Sequence, residues 1–192
     1  MLGILISLFA KEGMDMKKFK SLIAGSMVGI MMLSVVGCAN FKVIDDEDVF
    51  LDALEASVGI DEDECSTYKD SSTNGDDTEY EIYAYDSGCN YIYIRFEDDE
   101  DAMDYFEDFY DDFEDAKEDK DIEGSYRCGI TKTSGYILVN GESKSDDFFD
   151  DKIYGGFFVK DNVFIAAYTL SDKKSKIEDI QAFLKELGYP KP

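Results

Sequence analysis

Tyr91–Phe113 reads YIYIRFEDDEDAMDYFEDFYDDF, and its hydrophobic period changes halfway along. From Tyr91 to Phe96 the pattern has period two, as in a strand whose two faces meet different surroundings. From Ala102 onward Met103, Phe106, Phe109, Tyr110 and Phe113 recur at helical spacing and draw one apolar stripe. Asp98 or Asp99 stands at the junction, where a carboxylate caps the free amides of a helix start. Eleven of the eighteen residues from Asp98 to Asp115 are Asp or Glu, so the other face of this helix is carboxylate. Like charges four residues apart oppose helix formation, so burial of the Phe stripe must hold the helix in place. The stretch therefore calls for a sheet with a helix packed on it.

Upstream, Thr78 to Tyr85 alternates as well, and Asp86-Ser87-Gly88-Cys89-Asn90 is the turn signal that joins it to Tyr91–Phe96 as a hairpin. Ile82 and Ala84, with Ile92, Ile94 and Phe96, mark the expected buried face. Asp45-Asp46-Glu47-Asp48 opens an earlier helix, along which Phe50, Leu51, Leu54 and Val58 share a side and which Gly59 ends. Between that helix and the hairpin, residues 60–77 have no apolar period and read as a loop.

Downstream, Ser125 to Thr131 and Gly135 to Asn140 read as a second pair of strands. Lys144 to Asp151 is a loop with Phe148 and Phe149 among acids. Ile153 to Lys160 and Val163 to Leu170 form a hairpin across Asp161-Asn162, and Gly155-Gly156 signals a bulge or a close backbone approach. Ser171 is the expected cap of a last helix carrying Ile177, Ile180, Phe183, Leu184 and Leu187, ended by Gly188 and Pro190. The unit of hairpin, cap and amphipathic helix occurs twice, which is compatible with a degenerate repeat. The expected fold is α+β in two layers, an antiparallel sheet with amphipathic helices packed on one face, in the order α-ββ-α-ββββ-α.

At the N-terminus, Lys17, Lys18 and Lys20 precede an apolar run from Leu22 to Val36, and Val35-Val36-Gly37 stands directly before Cys38. This resembles the lipobox of a bacterial lipoprotein signal peptide. The resemblance implies cleavage between Gly37 and Cys38, lipid on the Cys38 sulfur, and a mature chain held extracytoplasmically at the cell membrane. The expected domains are then residues 1–15, an extension from a start site assigned too early; 16–37, the signal peptide; 38–44, the lipidated Cys38 and a short linker; and 45–192, one acidic domain. Together with IYIRFEDDEDAMDYFEDF and DNVFIAAYTLSDKKSKIEDIQAFLKELGY, the lipobox makes the chain similar to small uncharacterised acidic lipoproteins of Gram-positive bacteria. That resemblance implies the fold and the address and carries no catalytic or binding residues.

The whole chain has 44 acidic against 19 basic residues; residues 38–192 keep 42 and 15. Such a surface lacks the basic footprint that nucleic acid requires and favours basic proteins, peptides or envelope polymer as partners. Tyr and Phe together number 27 in periodic runs, which sets the chain apart from acidic disordered sequences. The oligomeric state is open at this level.

Four groups of residues carry candidate chemistry. Asp70, Ser72, Asn74, Asp76, Thr78 and Glu81 stand at the ligand spacing of an EF-hand calcium loop, with Gly75 at the turn, although Asp77 replaces the aliphatic residue of that loop and a strand follows it. Tyr83, Tyr85, Tyr91, Tyr93 and Arg95 fall opposite the expected core and would form an aromatic binding face if uncovered. Cys65 and Cys89 both sit in expected loops and are the expected disulfide among three remaining cysteines, with Cys128 a buried small side chain. The chain has no histidine, which removes Ser-His, Cys-His and His-bearing metal chemistry. The expected function is a non-enzymatic binding module without a firm cofactor. A calcium-binding envelope protein is the alternative, and a hydrolase using two carboxylates is a remote one.

Overall fold

The computed structural model describes residues 41–73, 76–145, 148–149 and 151–192, with only the backbone of Asp76. The expected extension, the signal peptide, Cys38 and Asn74 lie outside the described residues. In chain order the elements are α1 (Glu47–Val58), a single 3₁₀ turn (Glu62–Glu64), β1 (Ser66–Thr73), β2 (Asp76–Asp86), β3 (Cys89–Phe96), α2 (Asp99–Glu118), β4 (Ile122–Ile130), β5 (Ser134–Ser143), β6 (Lys152–Lys160), β7 (Val163–Thr169) and α3 (Lys174–Glu186). The strands form one antiparallel sheet in the order β1-β2-β3-β7-β6-β5-β4, so β3 and β7 are central and β1 and β4 are the edges. This is the expected α+β class.

One element departs from the expected order. Residues 66–73, read as loop, form β1, paired with β2 from Ser66↔Tyr83 to Thr73↔Asp76. An edge strand with most side chains in water needs no apolar alternation, because its partner strand supplies the ladder. STYKDSST therefore carries no hydrophobic signal although it is β.

The helices divide between the two sides of the sheet, where cover on one face was expected. On one side α2 lays Ala102, Met103, Phe106, Phe113 and Ala116 against Ile94, Phe96, Ile137, Val139, Phe157, Val159 and Phe164. Phe148, from the loop before β6, is wholly buried in the same core and contacts Phe109 and Phe113 at 5.2 and 5.1 Å between ring centroids. On the other side α1 and α3 pack on each other and on the sheet: Phe50 meets Tyr93 at 5.4 Å and Phe183 at 5.2 Å, and Tyr91 meets Phe183 at 4.9 Å. A sheet with two covered sides has apolar residues at both parities in its central strands, as VFIAAY in β7 has. The two hairpin-and-helix units are thus not symmetry mates. A two-fold axis between the antiparallel β3 and β7 would put α2 and α3 on the same side.

Local chemistry explains the ends of the elements. Asp98 caps α2 by accepting from the amides of Glu100 and Asp101 at 2.9 and 3.0 Å, as expected. Asp46 caps α1, and Gly59 ends it at φ 71°. Ser171 sits two residues before the cap position: α3 starts at Lys174 with Lys173 as its cap residue and no side-chain cap, while Ser171 Oγ accepts from the Lys173 amide at 3.2 Å. The Gly155-Gly156 pair is a close approach, since β6 runs through it in register and a Cβ on Gly155 would fall 2.3 Å from that of Tyr168.

Candidate functional site

The faces of the β2–β3 hairpin decide where the candidate residues go. Its turn is the two-residue Ser87-Gly88, with φ 50° and 96°, the left-handed pair that joins adjacent antiparallel strands most tightly. Asp86 then opposes Cys89, and the register continues through Tyr83↔Ile92 and Ile82↔Tyr93. Odd residues of β2 therefore share a face with even residues of β3. Tyr83 and Tyr85 lie on the α2 side with Ile92 and Ile94, whereas Tyr91, Tyr93 and Arg95 lie on the α1/α3 side with Ile82 and Ala84. The five residues expected to form one aromatic face are split across the sheet.

Tyr91 and Tyr93 are 1% and 0% exposed beneath the helices and offer no ring to a ligand. Arg95 belongs to the same packing. Its Nη1 donates to Glu47 Oε2 at 2.6 Å and to the Asp45 carbonyl at 2.9 Å, and its Nε donates to Glu79 Oε2 at 2.8 Å. It ties the start of α1 to the sheet. Burial pushes the Glu47 carboxyl up, but a backbone hydrogen bond and the Arg95 guanidinium outweigh it and hold the group below its ordinary value.

The β1–β2 hairpin carries the polar site. Glu81 is 5% exposed, and its Oε1 accepts from the hydroxyls of Ser71, Thr73 (2.9 Å) and Thr78 (2.7 Å). Its Oε2 accepts from Tyr83 at 2.8 Å. Burial alone would raise the Glu81 carboxyl, yet these four hydroxyl donors, Ser71 and Thr78 foremost, lower it and keep it ionised. The Tyr83 phenol moves the other way, raised by burial and then by the carboxylate it binds. Outside this cradle, on the same side of the sheet, Tyr68 and Tyr85 are 53% and 69% exposed, and the Tyr68 and Tyr83 rings meet edge-on at 6.1 Å.

That geometry corrects the calcium-loop expectation. An EF-hand wraps its ligands around one point, but here Asp70 and Ser72 lie in β1 and Asp76, Thr78 and Glu81 in the antiparallel β2. Ser72 and Asp70 are exposed, and Ser72 points away from the face that holds Ser71, Thr73 and Glu81. Glu81, the expected bidentate ligand, is already engaged by hydroxyls. Among the described residues, no three Cys, Asp or Glu side chains converge on a point where an ion would sit.

The expected disulfide is also corrected: Cys65, Cys89 and Cys128 are free thiols. Cys65 precedes the edge strand β1 and Cys89 begins β3, with β2 between them. Cys89 is wholly buried against α3, its Sγ 3.7 Å from the Lys176 carbonyl. Cys128 is half-buried, 3.4 Å from Glu114 Oε1 and 3.7 Å from the Tyr110 hydroxyl. Burial pushes all three thiols above their ordinary value, so none is an activated nucleophile.

Sequence periodicity does not reveal Tyr68 and the hydroxyl donors Ser71 and Thr73, because the edge strand that holds them has no apolar alternation. The available signal was the spacing of Ser71 and Thr73 two residues apart in a hydroxyl-rich run, with Thr78 and Glu81 just beyond the turn. Comparison with protein-family models, with curated proteins and with solved structures gives no match to this chain.

Proposed function

We infer that the protein is a lipid-anchored, extracytoplasmic, non-enzymatic binding module whose ligand surface is the outer part of the β1–β2 hairpin. The observation that carries this reading is the pair of exposed rings, Tyr68 and Tyr85, set on either side of the half-buried Tyr83. Tyrosine gives a rigid apolar face with a polar tip, which suits stacking on sugar rings of an envelope polymer or gripping a peptide. Glu81 holds Tyr83 from behind through a 2.8 Å hydrogen bond, so that ring is oriented before any ligand arrives. The acidic coat, with a net charge of −25 for the whole chain, biases the choice toward neutral or basic ligands. The lipobox at Cys38 supports the anchor and the address.

Two experiments test the reading separately. Inhibition of lipoprotein signal peptidase in expressing cells is expected to leave an unprocessed product of higher mass; an unchanged mass would remove the anchor. Tyr68→Ala with Tyr85→Ala is expected to abolish capture of envelope glycan fragments and extended peptides while the folded state persists. Undiminished capture would remove the aromatic surface.

A further inference from the structure

Helix α2 covers its side of the sheet only in part. On the α1/α3 side the odd residues of β3 from Cys89 to Tyr93 and of β7 from Val163 to Thr169 are all buried. On the α2 side Asn90 and Ile92 of β3 and Tyr168 of β7 stay partly exposed, although both strands are central.

Register places these residues beside the tyrosines of β2. Tyr85 pairs with Asn90 and Asn90 with Tyr168, while one step along the strands Tyr83 pairs with Ile92. Directly opposed residues share a face, so Tyr85, Asn90 and Tyr168 form one row, with the amide of Asn90 between two phenols. The two tyrosines are two strand spacings apart, about 9 to 10 Å. Tyr68 on β1, edge-on to Tyr83, continues the uncovered strip to the sheet edge. Tyr168 is braced by Phe149 and Phe157, at 5.1 and 5.4 Å between ring centroids. Among the described residues the Asn90 side chain has no hydrogen-bond partner, so its donors and acceptor face the strip unfilled.

This chemistry discriminates between ligands. The strip lies across β2, β3 and β7, each of which pairs with a neighbour on both sides. An extended peptide laid over it would find no free backbone groups, which recognition by strand addition requires. None of its residues is basic, and the chain carries a net charge of −25, so an anionic polymer meets no countercharge. A neutral glycan needs neither. Its sugar rings offer apolar faces to aromatic side chains and hydroxyls to an amide, and its units repeat in one direction as ring, amide and ring do here.

We propose that the strip formed by Tyr68, Tyr83, Tyr85, Asn90, Ile92 and Tyr168 binds a neutral polysaccharide chain, stacking sugars on Tyr85 and Tyr168 and hydrogen-bonding the sugar between them through Asn90. The proposal rests on the reading of the β1–β2 hairpin as a ligand surface and extends that surface over β3 and β7.

The test is calorimetric titration of the full chain, held in a zwitterionic detergent, with ladders from disaccharide to hexasaccharide of β-linked glucose, β-linked N-acetylglucosamine and α-linked mannose. At least one ladder is expected to bind, about tenfold more tightly as tetrasaccharide than as disaccharide. Asn90→Ala is expected to weaken the tetrasaccharide about tenfold, and so is Tyr168→Leu, which keeps an apolar side chain against Phe157. Tyr126→Ala, which removes an exposed ring at the other sheet edge, should leave binding unchanged. Far-UV circular dichroism confirms that each variant is folded. Loss of binding in Tyr85→Ala with full binding in Asn90→Ala and Tyr168→Leu would confine the ligand to the hairpin, overturning the strip and leaving the hairpin surface in place. Affinity independent of chain length would do the same. Binding by none of the ladders, or tighter binding of an extended peptide of matched length, would overturn the assignment to neutral glycan. Full binding by Tyr68→Ala with Tyr85→Ala would remove both the strip and the hairpin surface.

Discussion

The Thr78 hydroxyl donates to Glu81 Oε1 at 2.7 Å, and both residues are at least 95% buried. The contact exists because the β2–β3 register shifts at Thr78, which pairs with Phe96 while Tyr80 pairs with Arg95, so that Thr78 turns to the same side as Glu81. A buried carboxylate is tolerable only when its lone pairs are filled, and Thr78 is one of four hydroxyls that fill them.

Glu81→Gln is expected to destabilise the protein by roughly 2 kcal/mol at neutral pH, because hydrogen bonds to a charged acceptor are replaced by neutral ones. The sign of the pH dependence follows from the lowered carboxyl. In the folded chain it titrates below its ordinary value of 4.5, so its contribution is complete above that value and is lost as pH falls through the folded pKa. Urea unfolding at pH 7 and at successive values below 4.5 should show the wild type losing its advantage over Glu81→Gln. A constant difference across that range would refute the account.

Arg95→Ala is expected to cost about 1 to 2 kcal/mol and to loosen the start of α1, since Glu47, Glu79 and the Asp45 carbonyl all lose their donor. The pair with Glu47 is about a quarter exposed, so high salt should weaken it only in part. Hydrogen exchange is the appropriate measurement: amides of α1 should exchange faster in the variant, and those of β5 and β6 should not.

Gly135→Ala is expected to destabilise by about 2 to 3 kcal/mol. A Cβ at this position would lie 2.2 Å from a ring carbon of Phe106, a wholly buried side chain of α2. Phe106→Leu on its own should also destabilise, through lost packing. In the double variant the two costs should sum to less than their separate values, which a double-mutant cycle by chemical denaturation measures.

At fixed ionic strength, calcium and magnesium are expected to give the same thermal midpoint, because Glu81 is already bonded to hydroxyls and Ser72 faces away from it. Both ions should raise the midpoint slightly by screening the negative charge. A rise specific to calcium and abolished by Glu81→Ala would restore the ion site.

Segments whose surroundings change every second or every third to fourth residue were legible before any tertiary contact was considered. The stripe of α2, its cap at Asp98, the tight Asp161-Asn162 link and the α+β class all follow from local periodicity and capping chemistry, which act within a few residues. β1 was not legible, since an edge strand borrows its ladder from a neighbour and needs no apolar signal of its own. The candidate site shared that fate: the hydroxyls that hold Glu81 come from a strand that sequence periodicity does not reveal.

The chain by itself determined what its own atoms and near neighbours impose: acidic charge, absence of histidine, the helices with their stripes, and most of the strands. Tertiary structure alone decided which faces those strands present. A two-residue turn at Ser87-Gly88 instead of a longer one shifts parity by one step, sends Tyr83 and Tyr85 to one side and Tyr91 and Tyr93 to the other, and lets α1 and α3 cover the second pair. Side-chain period in a strand is two, so a single residue in the register exchanges inside for outside, and that choice is made by what the whole sheet can bury.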